Sequence, residues 1–375
     1  MSETYNCKYF VTGGGTGGHI YPALAVAKLL VQDGAKVYYV GNKRNMEYEL
    51  ASKNGYKFLH VSVKSMPRCL NIKFFWWGVK LFRAILFSIR YIKKYKPDAV
   101  FATGGYVSAP MIFACAVTGT PYIMHDCDAM PGLVSRKLSK RAKFVTLAFA
   151  QAKKYIPNKH TVITGNPIRE EFKTLTKAEA KEQMNLDNRL TLCIMGGSQG
   201  AKSLNNTTIE LLKEFSQELN LQVIFQTGKK NYEEVIERLK QFYPTYEQDK
   251  NLRIQPYFDN MICVLKASDI VVSRAGSLSI SEICASDTAP ILVPYPYAAA
   301  NHQRINAKSL AQNGACIYLE DAELEPNKLR EIIVTLIKNP VKINYLKQNA
   351  SYLAKYDAAN QIKKLLVSVT EKTKQ

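Results

Sequence analysis

Short apolar runs recur along the chain, each closed by glycine or small polar residues and followed by a stretch with helical spacing. Lys8–Thr12 leads into Gly13–His19 and a helix over Pro22–Leu30, and Lys36–Val40 leads to Gly41. Asp98–Ala102 leads to Thr103-Gly104-Gly105-Tyr106, and Pro121–Met124 to His125. Strand-like runs alternating with helical stretches specify α/β architecture, with parallel sheets covered by helices on both faces. The pattern then begins again. Leu190–Met195 enters Gly196-Gly197-Ser198-Gln199-Gly200-Ala201, Leu221–Gln226 enters Thr227-Gly228, Asp269–Val272 enters Ser273–Ser277, and Ala289–Val293 reaches Pro294. Two glycine loops, each opening its own series, predict two Rossmann-like domains in tandem, 1–163 and 164–354, divided at the turn cluster Thr164-Gly165-Asn166-Pro167. A last helix, Ala358–Lys372 with Asp357 at its start, is expected to join the first domain. At 375 residues the chain exceeds the roughly 250–300 at which one core stops growing.

One segment departs from this rhythm. In Asn71–Lys94, Phe74, Leu81, Ile85 and Ile92 share a helical face suited to a core. Phe75, Val79, Phe82 and Leu86 form a second apolar stripe, with Lys80, Arg83, Arg90 and Lys94 beside it and both tryptophans, Trp76 and Trp77, near its start. Apolar and basic stripes side by side suit an interfacial helix on an anionic bilayer. The charge distribution agrees. The net charge is +20, and residues 1–163 hold 24 basic against 7 acidic residues, +17, leaving 27 against 24, +3, for the rest. The N-terminal half is therefore expected to face something anionic: a membrane surface, a phosphorylated lipid or a nucleic acid.

Composition narrows the class further. With 47% hydrophobic and 22% charged residues the chain is an ordinary globular one, and no apolar run reaches the roughly 20 residues of a membrane span. The start has no signal-peptide layout, which places the expected site of action in the cytoplasm or on the inner membrane surface. Eight cysteines without a Cys-x-x-Cys pair read as reduced core residues.

Gly13-x-Gly15-x-x-Gly18 matches the dinucleotide fingerprint, between a strand and a helix. The next strand ends in Gly41-Asn42-Lys43-Arg44, with no acidic residue for a ribose; this counts against NAD and leaves NADP open. Physically, the amides of such a loop and the helix start behind it favour a phosphate or diphosphate.

Five segments, taken together, carry a resemblance. Gly14-Gly15-Thr16-Gly17-Gly18-His19-Ile20-Tyr21-Pro22-Ala23-Leu24-Ala25, Ala102-Thr103-Gly104-Gly105-Tyr106-Val107-Ser108, Gly165-Asn166-Pro167-Ile168-Arg169, Gly196–Ala201 and Ser273–Glu282 closely resemble the MurG family in order and spacing over nearly the whole chain. The resemblance implies a GT-B fold, two Rossmann-like domains facing a central cleft, and an inverting N-acetylglucosaminyltransferase. The enzyme would move GlcNAc from UDP-GlcNAc to the 4-hydroxyl of the muramoyl sugar of lipid I, forming lipid II for peptidoglycan synthesis. It would work as a peripheral protein on the cytoplasmic face of the cell membrane, with neither cofactor nor nucleic acid as partner.

The resemblance also distributes roles. On the donor side it implies Thr16, Gly17, Gly18, Asp128, Arg169, Ser198, Phe258, Ser277, Leu278, Ser279, Ile280, Ser281, Glu282, His302 and Gln303. Arg169 and Ser198 would meet the diphosphate, Phe258 the uracil, Glu282 the ribose hydroxyls, and His302-Gln303 the GlcNAc hydroxyls. For the acceptor it implies Gly14, Gly15, Thr103, Gly104, Gly105, Tyr106 and His125. The candidate for the base that would deprotonate the attacking hydroxyl is His19, with Asp126 and Asp128 as rivals. Asp126-Cys127-Asp128 spells the Asp-x-Asp of metal-dependent glycosyltransferases, whereas the family has His-Glu-Gln-Asn where this chain reads His125-Asp126-Cys127-Asp128. The resemblance assigns no metal, and helix dipoles, serines and Arg169 would stabilise the leaving diphosphate.

Other functions account for less of the chain. An NADP oxidoreductase explains the first loop and Lys43-Arg44 but leaves the second loop and Glu282 idle. A nucleic-acid-binding module explains only the charge. Another UDP-sugar transferase or a UDP-GlcNAc epimerase is the nearest competitor.

Overall fold

The computed structural model describes residues 7–67, 71–197 and 200–374. It comprises two units, Met1–Ile168 with Asp357–Gln375, and Arg169–Tyr356.

The first unit holds seven parallel strands: β1 (Lys8–Thr12), β2 (Lys36–Gly41), β3 (Lys57–His60), β4 (Ala99–Ala102), β5 (Tyr122–Asp126), β6 (Phe144–Leu147) and β7 (Thr161–Ile163). Their order is β3-β2-β1-β4-β5-β6-β7. The chain thus runs outward from β1 in one direction and then returns to build outward from β4 in the other. In such a sheet the crevice at the carboxyl ends of the two strands where the order reverses is the natural ligand site. Here those strands are β1 and β4, each followed by a glycine loop and a helix, α1 (Gly17–Gln32) and α4 (Gly105–Thr118). The two central strands are mostly apolar, with Phe10, Val11, Val100 and Phe101 fully buried, as expected of a sheet covered on both faces.

Helix α1 begins at Gly17, five residues before the start the sequence suggests, and carries Pro22 in its interior. Proline favours a helix start, which is why the pattern reads as beginning at Pro22; here it is the sixth residue of the helix, where its missing amide leaves the Gly18 carbonyl without its usual intrahelical donor. The earlier start puts His19 in the first turn of α1. The C-terminal helix, Ala358–Lys374, buries Ile362, Leu366 and Val369 with Ile20, Ala23, Ala27 and Tyr9 of this unit, and Lys363 pairs with Asp33 at 2.6 Å. The short strands β3, β6 and β7 carry no sequence signal beyond a few apolar residues and are held by pairing with their neighbours.

The second unit repeats the plan with β8 (Thr191–Met195), β9 (Gln222–Gln226), β10 (Leu252–Gln255), β11 (Ile270–Ser273), β12 (Ala289–Leu292) and β13 (Ile317–Tyr318), in the order β10-β9-β8-β11-β12-β13. Its reversal lies between β8 and β11. The second glycine loop follows β8, and the Ser277–Cys284 helix follows β11. None of the seven described cysteines joins a disulfide, and all seven are buried.

Helices α2 (Met46–Lys53) and α3 (Ile72–Tyr95) complete the frame of the first unit. Along α3 the buried line is Ala84, Ser88 and Ile92, while Phe74, Leu81 and Ile85 are half-buried. On the other side Phe75 is 62% exposed, Trp76 57% and Phe82 61%. Trp77 is tied down: its indole donates to the Lys64 carbonyl at 2.9 Å.

Candidate functional site

In the first unit the two glycine loops interlock. A Cβ on Gly105, whose φ is +71°, would lie 2.8 Å from the Gly14 carbonyl oxygen, and one on Gly13 would lie 1.8 Å from the Thr103 hydroxyl. The Thr103 hydroxyl donates to the His19 carbonyl at 2.6 Å, and the buried Tyr39 hydroxyl donates to the Gly13 carbonyl at 2.7 Å. Only glycine permits backbone this close. Thr103 and Gly104 are themselves buried, Gly105, Tyr106, Gly17 and Gly18 half-buried, and Gly15 and Thr16 exposed. The surface this loop pair offers is therefore Gly15–Gly18 with Gly105 and Tyr106; Thr103 acts as a strut behind it.

His19 projects into this loop pair. Its Nδ1 lies 2.8 Å from the Thr103 carbonyl oxygen. A carbonyl can only accept, so Nδ1 carries the hydrogen and the neutral ring presents Nε2 as a proton acceptor. Nε2 has no hydrogen-bond partner among the described residues. The Cys127 sulfur lies 3.7 Å from Nδ1 and donates to Asp128 Oδ2 at 3.7 Å.

Two of the expected site residues are buried and already engaged in hydrogen bonds. His125 is fully buried: Nε2 donates to Asn166 Oδ1 at 2.9 Å and Nδ1 lies 3.0 Å from the Thr146 hydroxyl. Burial pushes its pKa down to about 4, and no edge of the ring is left for an acceptor. Asp126 is 3% exposed, with Oδ1 accepting the Asp128 amide and Oδ2 the Gly132 amide, each at 3.1 Å. Burial, reinforced by the charge of Asp128, raises its pKa to about 6. Asp126 anchors the 126–132 turn. Asp128, half-buried, is the carboxylate of the pair with access to solvent.

A residue the sequence reading passed over lies beneath the first loop. Glu47, in the first turn of α2, has no exposed surface. Its Oε2 accepts the Gly15 amide at 3.3 Å, and its Oε1 accepts the Asn42 amide at 3.2 Å and Asn45 Nδ2 at 3.0 Å. The same Asn45 group donates to the Tyr106 hydroxyl at 3.2 Å. The Gly15 amide is thus held by a carboxylate from below. The only sequence signal is an acidic residue just inside a helix start, a common helix-stabilising feature.

In the second unit the Ser277–Cys284 helix starts at Gly276, whose missing side chain leaves the approach to Ser279 open. Ser279 and Ser281 are half-buried; Ser277, Leu278 and Ile280 are buried. Ile280 faces the core, so any contact it makes with a ligand is through its backbone. Glu282, its side chain 12% exposed, accepts Arg169 Nη2 at 3.0 Å. Burial raises the Glu282 pKa, and the Arg169 guanidinium opposes that rise.

Phe258 is 6% exposed and its amide donates to Gln226 Oε1 at 3.0 Å, while Gln226 Nε2 donates to the Gly197 carbonyl at 3.3 Å. Gln226, which sequence reasoning missed, thus fixes both the second glycine loop and the Phe258 segment. Ser198 lies outside the described residues. Gln303 Oε1 accepts the Tyr295 amide at 3.0 Å, and the His302 ring lies 2.7 Å from the Ala299 carbonyl through Nδ1. Ala300 and Asn301, both left-handed at φ 51° and 54°, make the turn that presents them. Arg274 braces this side: Nη1 donates to the Val293 and Pro294 carbonyls at 3.2 Å and to Asp321, and Nη2 donates to the Ser203 hydroxyl at 2.7 Å.

Both units thus carry their glycine loops, and the second its Ser277–Cys284 helix, at the carboxyl ends of the strands where the sheet order reverses, the place where α/β proteins take phosphorylated ligands. Residues 9–147 match the glycosyltransferase family 28 N-terminal domain and residues 191–362 the glycosyltransferase family 28 C-terminal domain. The chain is 38% identical to the UDP-N-acetylglucosamine--N-acetylmuramyl-(pentapeptide) pyrophosphoryl-undecaprenol N-acetylglucosamine transferase of Thermoanaerobacter sp. (strain X514), over 97% of this chain and 100% of that protein. The protein of that name from Desulforamulus reducens is 37% identical over 96% of this chain and 98% of its own length. The crystal structure of Acinetobacter baumannii MurG superposes with a TM-score of 0.74 at 29% identity, covering 96% of this chain and 99% of that one. With two Rossmann-like sheets in tandem and full-length identity at this level, the chain belongs to the MurG family of GT-B glycosyltransferases, in glycosyltransferase family 28.

Proposed function

We propose that this protein transfers N-acetylglucosamine from UDP-GlcNAc to the 4-hydroxyl of the muramoyl sugar of an undecaprenyl-diphosphate-linked muramoyl-pentapeptide, with inversion, at an anionic membrane surface. The observation that carries the reading is 38% identity over nearly the full length of a transferase named for that GlcNAc transfer, with a glycine loop or serine-rich helix start at the reversal point of each sheet. An oxidoreductase accounts for one set of loops; a transferase with two phosphorylated substrates uses both.

In this reading the second unit holds the donor. The amides at the start of the Ser277–Cys284 helix and the Ser279 hydroxyl receive the diphosphate, Glu282 the ribose, Phe258 the uracil, and Gln303 the sugar. The first unit holds the acceptor along Gly15, Gly105 and Tyr106, with Thr16–Gly18 kept for the donor sugar. As the acceptor hydroxyl attacks the anomeric carbon, its proton passes to His19 Nε2, the anomeric C–O bond breaks, and UDP leaves with the bonding electrons. Thr103 keeps Nδ1 protonated so that Nε2 is the accepting nitrogen. Charge on the departing diphosphate is met by fixed helix amides, which need no reorganisation during the step.

The exposed face of α3, with Phe75, Trp76, Phe82 and Leu86 beside Lys80, Arg83 and Lys94, supports contact with the bilayer that carries the acceptor. No described helix is long and apolar enough to cross a membrane. The deciding assay is transfer of labelled GlcNAc from UDP-GlcNAc to a short-chain lipid I analogue, with product stereochemistry read by NMR. Absence of transfer, or turnover of UDP-GlcNAc without acceptor, would overturn the reading.

A further inference from the structure

The pairing of Arg169 with Glu282 points to a different role for the arginine than contact with the donor diphosphate. Arg169 stands 113 residues before Glu282 in sequence, just ahead of a short helical turn, Glu171–Thr174. Its guanidinium donates Nη2 to Glu282 Oε1 at 3.0 Å and lies over the ring of the fully buried Phe172, with its centre 5.5 Å from the ring centroid. Nε is buried and has no partner among the described residues. The group is therefore held by a carboxylate on one side and an aromatic face on another.

Its position along the Ser277–Cys284 helix decides what it can serve. The amides suited to a diphosphate belong to the first turn, at Ser277–Ser279. Glu282 lies five residues beyond Ser277, about 7.5 Å along the axis at the usual rise. The Arg169 guanidinium is committed through Nη2 to this carboxylate. Glu282 in turn needs a counter-charge: it is almost wholly buried, and burial works against its ionised form. Only the ionised carboxylate can accept from both hydroxyls of a ribose while also accepting from an arginine, because a protonated carboxyl gives up part of its accepting capacity. The pair occupies Oε1 from one direction and leaves Oε2 to a ligand.

We infer that Arg169 is a positioning residue for Glu282, holding its carboxylate ionised and oriented toward the ribose hydroxyls, and that it contributes to donor binding through the ribose instead of the diphosphate. The inference rests on the reading of Glu282 as the ribose acceptor. The experiment separates the two by using ligands that lack one part or the other: UDP, uridine, and 2′,3′-dideoxyuridine 5′-diphosphate, each titrated by NMR or calorimetry against the full-length wild type, Arg169→Met, Arg169→Lys and Glu282→Gln. Thermal melting of each variant checks that it is folded, and Arg169→Lys serves if Arg169→Met is not.

Arg169→Met is expected to weaken UDP and uridine by the same factor, about tenfold or more, with the dideoxy diphosphate unchanged. Arg169→Lys, which restores a positive charge opposite Glu282, is expected to recover part of the uridine affinity. Weakening of UDP and of the dideoxy diphosphate together, with uridine unchanged, would place Arg169 on the diphosphate and overturn the inference, as would no change with any ligand. Glu282→Gln must itself weaken uridine and UDP and spare the dideoxy diphosphate; if it spares uridine, the ribose reading fails and the inference fails with it.

Discussion

Glu47→Gln tests whether the buried carboxylate under the first glycine loop sets the position of the catalytic elements above it. The substitution keeps the shape and replaces one carboxylate oxygen by an NH2 group. Oε1 serves Asn42 and Asn45 while Oε2 serves Gly15, so the favoured orientation of the amide keeps Oε1 and turns its NH2 toward the Gly15 amide, where two donors then face each other. The reverse orientation would strand two donors instead of one. The loss is one charge-assisted hydrogen bond and the exposure of a buried donor to a like group, about 1.5–3 kcal/mol. In a unit of 150–250 residues each kcal/mol moves the melting temperature by about 2–4 °C, so the first unit should melt about 3–12 °C lower. Because Gly15 leads directly into the turn bearing His19, displacement of the loop should also lower kcat, by up to about a hundredfold if the reacting atoms shift by an ångström. UDP affinity should stay unchanged, since the residues proposed to meet UDP itself, Ser277–Ser279, Glu282 and Phe258, all belong to the other unit. Calorimetry with and without UDP, together with steady-state kinetics on a lipid I analogue, reads all three quantities. A variant that melts and turns over like the wild type would refute the reasoning.

His19→Ala should lower kcat about 10²- to 10⁴-fold while calorimetric UDP affinity holds, whereas Asp126→Asn should act mainly on stability; the reverse pattern would make a carboxylate the base. Replacing Phe75 and Trp76 by Ala and Lys80 and Arg83 by Glu should sharply weaken co-sedimentation with anionic vesicles, each basic residue near such a surface being worth about 1 kcal/mol, with the fold checked by melting; unchanged sedimentation would remove α3 from the membrane contact. His125, held near a pKa of about 4 in the folded unit against an ordinary 6.5, must bind a proton on unfolding, so it costs stability as pH falls from about 6.5 to 4. Asp126, raised to about 6, works in the opposite sense over an overlapping range. The informative quantity is therefore the difference between wild type and His125→Asn, whose stability should fall less steeply on acidification, by up to about 1.4 kcal/mol per pH unit; identical slopes would show that His125 is not the group responsible.

What the sequence determined by itself is local. A strand run followed by glycines and a helix start is written in consecutive residues, because chain turns of this kind need small side chains and free helix amides wherever they occur. The tandem plan, the placement of Gly13–His19, Thr103–Tyr106 and Ser273–Glu282 at strand ends, and the two-sided pattern of α3 all follow from such short-range rules. Tertiary structure decided what depends on which distant groups meet. Nothing near His19 says that the Thr103 carbonyl, 84 residues on, selects its accepting nitrogen, or that Glu47 holds Gly15 from 32 residues away. His125 and Asp126 are adjacent residues of β5 whose side chains are buried by β6 and the 126–132 turn, so a motif that reads as chemistry became support. Arg169 and Glu282, each suited to a ligand when taken alone, are brought within a hydrogen bond of each other. A side chain's chemistry is set by its residue type, but its access, protonation and partners are set by neighbours that only the closed sheet and its packed helices bring near.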